Sequence, residues 1–169
     1  MIDKRELALK YLWHYLGTFY SWGGDDPSSF DCSGLISEVA QAVGIIGRGE
    51  RLTAQMFWDR FLLKRVPEPY ASCLVFWHSA DNPDRIIHIE MCIDELHAIG
   101  SSGGGSSCIS KEMAIKLNAF VKIRPWQSRK NVKGFIDPFL EEVKFTPPNY
   151  DKVYREGMEI LEKDARGLI

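Results

Sequence analysis

Tyr20-Ser-Trp-Gly-Gly-Asp-Asp-Pro-Ser-Ser-Phe-Asp-Cys-Ser-Gly-Leu35 constrains this chain more than any other stretch. Its first part, dense in Gly, Pro, Asp and Ser, has the composition of a loop. From Leu35 onward the pattern changes: Leu35, Ile36, Val39, Ala40 and Val43 recur at helical spacing until Gly44 ends it. Asp31 is the natural N-cap, which puts Cys32 in the first helical turn. Free N–H groups and the helix dipole there favour negative charge, so the spacing predicts a lowered thiol pKa. A cysteine presented this way is a candidate nucleophile, and it needs a histidine from elsewhere in the fold as its base.

The rest of the chain reads as helices first and strands afterwards. Asp3 with Glu6 predicts a capping box for a helix whose apolar face is Leu7, Ala8, Tyr11, Leu12, Tyr15 and Leu16, stopped by Gly17. Thr53 caps a third predicted helix that runs through Leu63. Pro67 and Pro69 then mark a switch to strand patterns: Cys73–Trp77, a hairpin of Ile86–Ile93 with Leu96–Ile99, and Ala119–Arg124. Gly100 to Ser107, almost all Gly and Ser, reads as a flexible loop or a close backbone approach. After Pro147 and Pro148 a last helix is predicted over about Tyr150–Lys163, with Val153, Gly157, Ile160 and Leu161 on one face. This order argues an α+β fold with N-terminal helices packed on a central antiparallel sheet. Residues 1–145 make one domain, and 146–169 a helical extension packed on it or on a partner.

Composition narrows the function classes. A net charge of -2 gives no general electrostatic case for nucleic acid or an anionic membrane surface. The first residues mix charges and lack the apolar block of a secretory signal, and no run reaches transmembrane length. Cys32, Cys73, Cys92 and Cys108 are spaced too irregularly for a disulfide framework or a zinc motif, so all four are expected to be reduced. No metal or cofactor is expected. His88, Glu90 and Cys92 share one strand but supply too few ligands for a metal centre.

The Tyr-x-Trp-Gly-Gly loop, the polar run with Pro27, and Phe30-Asp-Cys-Ser-Gly-Leu35 opening a helix resemble the NlpC-type cysteine peptidases. These are papain-like hydrolases that cut the peptide stems of bacterial peptidoglycan. The family's second motif, a strand starting His-Val/Ile-x-hydrophobic, is matched by Ile86-Ile-His-Ile-Glu-Met-Cys-Ile93. The resemblance spans Leu7 to Pro138 and implies the papain-like NlpC-type fold, with Cys32 as nucleophile and His88 as base. It implies further that Tyr20 places a hydroxyl beside the thiol and that Trp22 lines the cleft. The amides of Cys32 and Ser33 are candidates for holding the oxyanion. Asp31 would hold the loop or meet a substrate amine, and Glu90 would line the cleft or carry a surface charge. Ala98–Ser106, Ala119–Pro125 and Gly134–Pro138 look like a bacteriophage-encoded branch, and thus a virion-associated or lysis-released enzyme.

One position departs from the pattern. Typical members carry a polar residue, usually a second His, on the next strand to orient the base, and here that position is Gly100. Ser101, Ser102, Asn118, a backbone carbonyl or a water are the substitutes the sequence offers. The departure keeps one alternative open, a catalytically weak wall-binding or virion module of the same fold. A second alternative, an acyl or thioester hydrolase, comes from papain-like relatives of this fold that act on lipid acyl groups. Under any of these readings the partner that the C-terminal helix could meet is a phage tail or a second copy of the chain.

Overall fold

A computed structural model gives the fold, described for residues 3–141. The helix α1 (Lys4–His14) is capped by Asp3, whose carboxylate accepts the Arg5 N–H at 2.9 Å. Glu6 does not reach back to close the box; it pairs with Lys10 one turn on, at 2.6 Å. Gly17, at φ 83°, turns the chain into the loop. Three two-residue strands follow: β1 (Phe19–Tyr20), β2 (Asp25–Asp26) and β3 (Ser29–Phe30). They fold the Gly-rich stretch back on itself before α2 (Cys32–Ala42) begins.

The third helix, α3 (Ala54–Arg60), is shorter than the sequence predicts. It stops at Phe61, which stays buried while Leu63 is fully exposed, and a 3-10 turn at Leu62–Lys64 leads into β4 (Arg65–Val66). Pairing of β4 with β9 (Val132–Ile136) is what redirects the chain. Strands β5 (Leu74–His78), β6 (Ile86–Cys92), β7 (His97–Ser102) and β8 (Phe120–Pro125) form an antiparallel meander, with α4 (Lys111–Leu117) between the last two. The nine strands of the described residues join one sheet in the order β2-β3-β1-β8-β7-β6-β5-β9-β4.

Side chains alternate across the sheet with period two. Leu74, Phe76, Ile89, Met91, Ile99 and Val121 meet Leu12, Leu35, Val39 and Phe57 from the helices in the main core. Val75, Trp77, Cys92, Ala98 and Phe135 form a second apolar cluster. The α+β class with helices ahead of an antiparallel meander is therefore as the sequence predicts. The last predicted helix and the division at 145/146 lie outside the described residues.

Candidate active site

The loop that carries the first motif is held by its own polar groups. Asp31 accepts the Gly34 N–H at 2.7 Å and the Ser33 hydroxyl at 3.0 Å with one oxygen, and the Gly23 N–H at 3.1 Å with the other. Its carboxylate is thus committed to capping α2 and pinning the loop. Arg51 adds an ion pair to Asp25 at 2.6 Å and a contact to Asp31 at 3.6 Å. Gly104 packs against the Tyr20 ring, which a Cβ at that position would overlap. The Gly/Ser stretch is a close backbone approach, and its first residues, Gly100 to Ser102, continue β7 instead of forming loop.

Two cavities meet at Cys32. One, of about 250 Å³, is lined by Tyr20, Trp22, Ser33, Gln55 and Arg85 among others. The second, of about 420 Å³, adds His88, the glycines of the loop and Arg129. Cys32, Tyr20 and Trp22 line both, and Trp22 is 56% exposed at their mouth. The structure thus brings Cys32, His88, Tyr20, Trp22 and Ser33 together.

Glu90 requires a correction. It is 0% exposed, so it neither lines the cleft nor carries a surface charge. Its Oε1 lies 2.7 Å from His88 Nε2, and Arg124 donates to both of its oxygens, Nη2 to Oε1 and Nε to Oε2 at 3.5 Å. The expected orienting residues are engaged elsewhere. Ser101 donates its hydroxyl to the Phe30 carbonyl at 2.6 Å, and Ser102 accepts from Arg129 at 3.3 Å. Asn118 ends α4 in the left-handed conformation, and its carbonyl accepts from Lys122 Nζ at 2.7 Å. Nothing in the sequence motifs points to Arg124 or Arg129. Arg124 sits on a strand the sequence did predict, but only the sheet register brings it to Glu90.

The electrostatics also depart from expectation. Burial, then the neighbouring Asp31 carboxylate, pushes the Cys32 thiol up to about 12, against the amides of Ile89 and Ser33. Burial likewise holds the His88 imidazole below its ordinary value, although Glu90 pulls the other way. Desolvation therefore outweighs the helix N-terminus and favours the neutral forms of both groups, thiol and neutral imidazole. Tyr20 is raised by burial and by Cys32, so its hydroxyl stays a donor. Alkylation of Cys32 by iodoacetamide should accordingly climb without a plateau from about pH 6 to 9. Peptide mass mapping of the modified cysteine against pH reads this directly, and a flat rate below about pH 7 would mean a preformed ion pair.

All four cysteines are free, and among the described residues no three His, Cys, Asp or Glu side chains could hold a metal ion. No helix of the described residues is long and apolar enough to cross a membrane.

The model of the NlpC/P60 family matches residues 17–124. Among solved structures, NlpC1 from Trichomonas vaginalis is similar at 19% identity and TM-score 0.65, over 83% of this chain and 47% of that one. An NlpC/P60 family protein from Bacillus cereus ATCC 10987 is similar at 19% identity and TM-score 0.61, over 78% of this chain and 39% of that one. The peptidoglycan hydrolase RipB from Mycobacterium tuberculosis is similar at 20% identity and TM-score 0.59, over 82% of this chain and 65% of that one. At these identities the likeness is one of fold, and the chain spans less than half the length of the first two.

Proposed function

The chain belongs to the NlpC/P60 family, and on that premise we propose that it is a cysteine peptidase cleaving amide bonds in peptidoglycan stem peptides. The observation that carries this reading is the pair of cavities meeting at Cys32, one of them shared with His88. A peptide laid across both would place one side of its scissile amide in each. Arg85 lines one cavity and Arg129 the other, which suits a substrate bearing carboxylates on both sides of the cut.

In this mechanism His88 takes the Cys32 thiol proton as sulfur attacks the carbonyl carbon. The oxygen that becomes negative is met by the helix-start amides and the Tyr20 hydroxyl. Collapse of the tetrahedral intermediate breaks the C–N bond, and His88 gives its proton to the leaving amine. Water, deprotonated by the same imidazole, then hydrolyses the thioester. A resting neutral pair fits this order, because the imidazole lone pair is free to accept the proton.

Gly100, which motivated the docking-module alternative, no longer favours it, since a buried carboxylate already meets His88. The phage branch rests on the sequence resemblance alone.

The test is digestion of purified peptidoglycan from one Gram-negative and one Gram-positive source, with released fragments read by mass spectrometry. New termini are expected from the parent protein and none from Cys32→Ala, and the fragment masses name the bond. Equal digestion by both proteins, or intact walls with both, would overturn the proposal.

A further inference from the structure

We propose that Glu90 is the residue that positions the His88 imidazole, and that position 100 is glycine because Glu90 occupies its space. The inference deepens the function proposed above and rests on it only where turnover is measured.

The sheet register sets up the exchange. Met91 pairs with Ile99 and Cys92 with Ala98, so one further step places Glu90 opposite Gly100. A Cβ on Gly100 would overlap Glu90 Cγ and lie 2.9 Å from its Cβ and Cδ. The two positions cannot both carry a side chain pointing this way. Glu90 is two residues from His88 along β6, hence on the same face, and its carboxylate reaches the ring within one strand. The polar group that the resemblance expects on β7 is supplied from β6 instead.

The carboxylate is built to stay charged. Burial raises its pKa, but His88 and Arg124 together bring it below the usual carboxylate value. Arg124 is itself steadied over the Trp77 ring, 5.9 Å from its centroid, and Trp77 pairs across the strands with His88. An ionised carboxylate only accepts hydrogen bonds, so the 2.7 Å contact requires His88 Nε2 to carry the proton. Arg124 Nη2, 3.3 Å from Nε2, is the flank of its own bond to Glu90. Nδ1 is then the bare nitrogen, free to take the Cys32 proton. When it does, the positive charge formed on the ring faces a fixed negative partner, and Nε2–H remains with Glu90 throughout. This is what a positioning residue does: it selects the tautomer, holds the ring plane and favours the imidazolium.

The other charged groups around the ring act against protonation. Arg124 and Arg129 both lower the His88 pKa, and Lys122 lies beside Glu90 and Arg124 on β8. Cys32 and Tyr20 share the cleft cavity with His88, and Asp31 lies near both of them. Glu90 is therefore the group whose charge supports His88 protonation.

The first experiment needs no substrate. Nitrogen-15 NMR of the four histidines, with His88 assigned by its loss in His88→Asn, should show Nε2 protonated and Nδ1 bare in the parent protein. In Glu90→Gln, which keeps the shape, the His88 titration should move to lower pH by about one unit or more. An unchanged titration and tautomer would overturn the proposal, whether or not the protein cuts peptidoglycan. Intact walls beside the predicted NMR result would instead remove only the function proposed above. The second experiment is an exchange read on a soluble stem peptide. Glu90→Ala should lower kcat by roughly 10²- to 10³-fold with KM little changed. Gly100→Asn alone should lose activity because its side chain meets Glu90. The double variant Glu90→Ala/Gly100→Asn should recover at least about tenfold over either. A purely structural Glu90 would give a double variant no better than the worse single, and that result would sink the exchange.

Discussion

Alanine at position 34 is expected to lower the melting temperature by roughly 5–10 °C and to cut peptidase activity about 100-fold or more. Gly34 lies in the first turn of α2, where alanine is ordinarily the better helix former by about 1 kcal/mol. The surroundings reverse that preference. A Cβ there would overlap the Gly24 carbonyl oxygen and lie 3.1 Å from its carbon and 3.2 Å from Asp25 Cα, all of them backbone. Gly24 has no room to retreat, because a Cβ on it would already be 2.6 Å from the Ser29 carbonyl oxygen. The loop must therefore lift away from the helix. That breaks the Asp31 N–H bond to the Gly24 carbonyl, 2.9 Å, and the Gly23 N–H bond to the Asp31 carboxylate. Overpacking of this kind costs about 1–3 kcal/mol. Activity suffers more than stability, because Tyr20 and Trp22 line the cleft from the same segment. Differential scanning calorimetry and turnover of a soluble stem peptide check the two halves. Parent-like melting and turnover would mean that the loop does not rest on Gly34.

The same packing explains how far the motif could be read from the sequence. The Gly-rich loop, the Asp31 cap and the α2 periodicity are local, and local patterns survive folding. Strand β6 was legible for the same reason, since its residues run apolar at strand length. Glu90 was not. A glutamate in a strand ordinarily reads as solvent-facing, and what buries this one is Arg124 on β8, 34 positions away, together with the vacancy at Gly100. The single departure from the family pattern and the single misread charge were two halves of one arrangement, visible only once β6 and β7 are in register. Strand β9 was missed because Gly134 interrupts its pattern; it becomes a strand through pairing with β5 and β4. The sign of the Cys32 shift is not legible in the sequence, because the helix dipole is a local cue, whereas desolvation depends on what the tertiary fold stacks around the thiol.

Asp137→Ala is expected to cost about 3 kcal/mol of stability, a fall of roughly 6–12 °C in melting temperature, with turnover unchanged well below the transition. Asp137 is 0% exposed and lies outside both cleft cavities. Its carboxylate takes a two-pronged bond from Arg5, at 2.9 and 2.7 Å, the Tyr70 hydroxyl at 2.6 Å and the Phe139 N–H at 3.0 Å. Arg5 also donates to Ser72 at 3.0 Å and sits 5.0 Å over the Phe139 ring. This one carboxylate therefore ties the first turn of α1 to the end of β9 and to the turn that enters β5. Removing it strands an arginine whose side chain is 32% exposed, so water recovers part of the loss and the cost stays near the lower end for a broken buried pair. Arg5→Lys should lose less, since it keeps the charge but not the planar fork that fits two carboxylate oxygens. Urea titrations of Arg5→Met, Asp137→Ala and the double variant close a cycle: if the two form one unit, the double costs much less than the sum of the singles. Additive losses would instead assign the stability to Tyr70 and the backbone contact, and would leave α1 held by its apolar face alone.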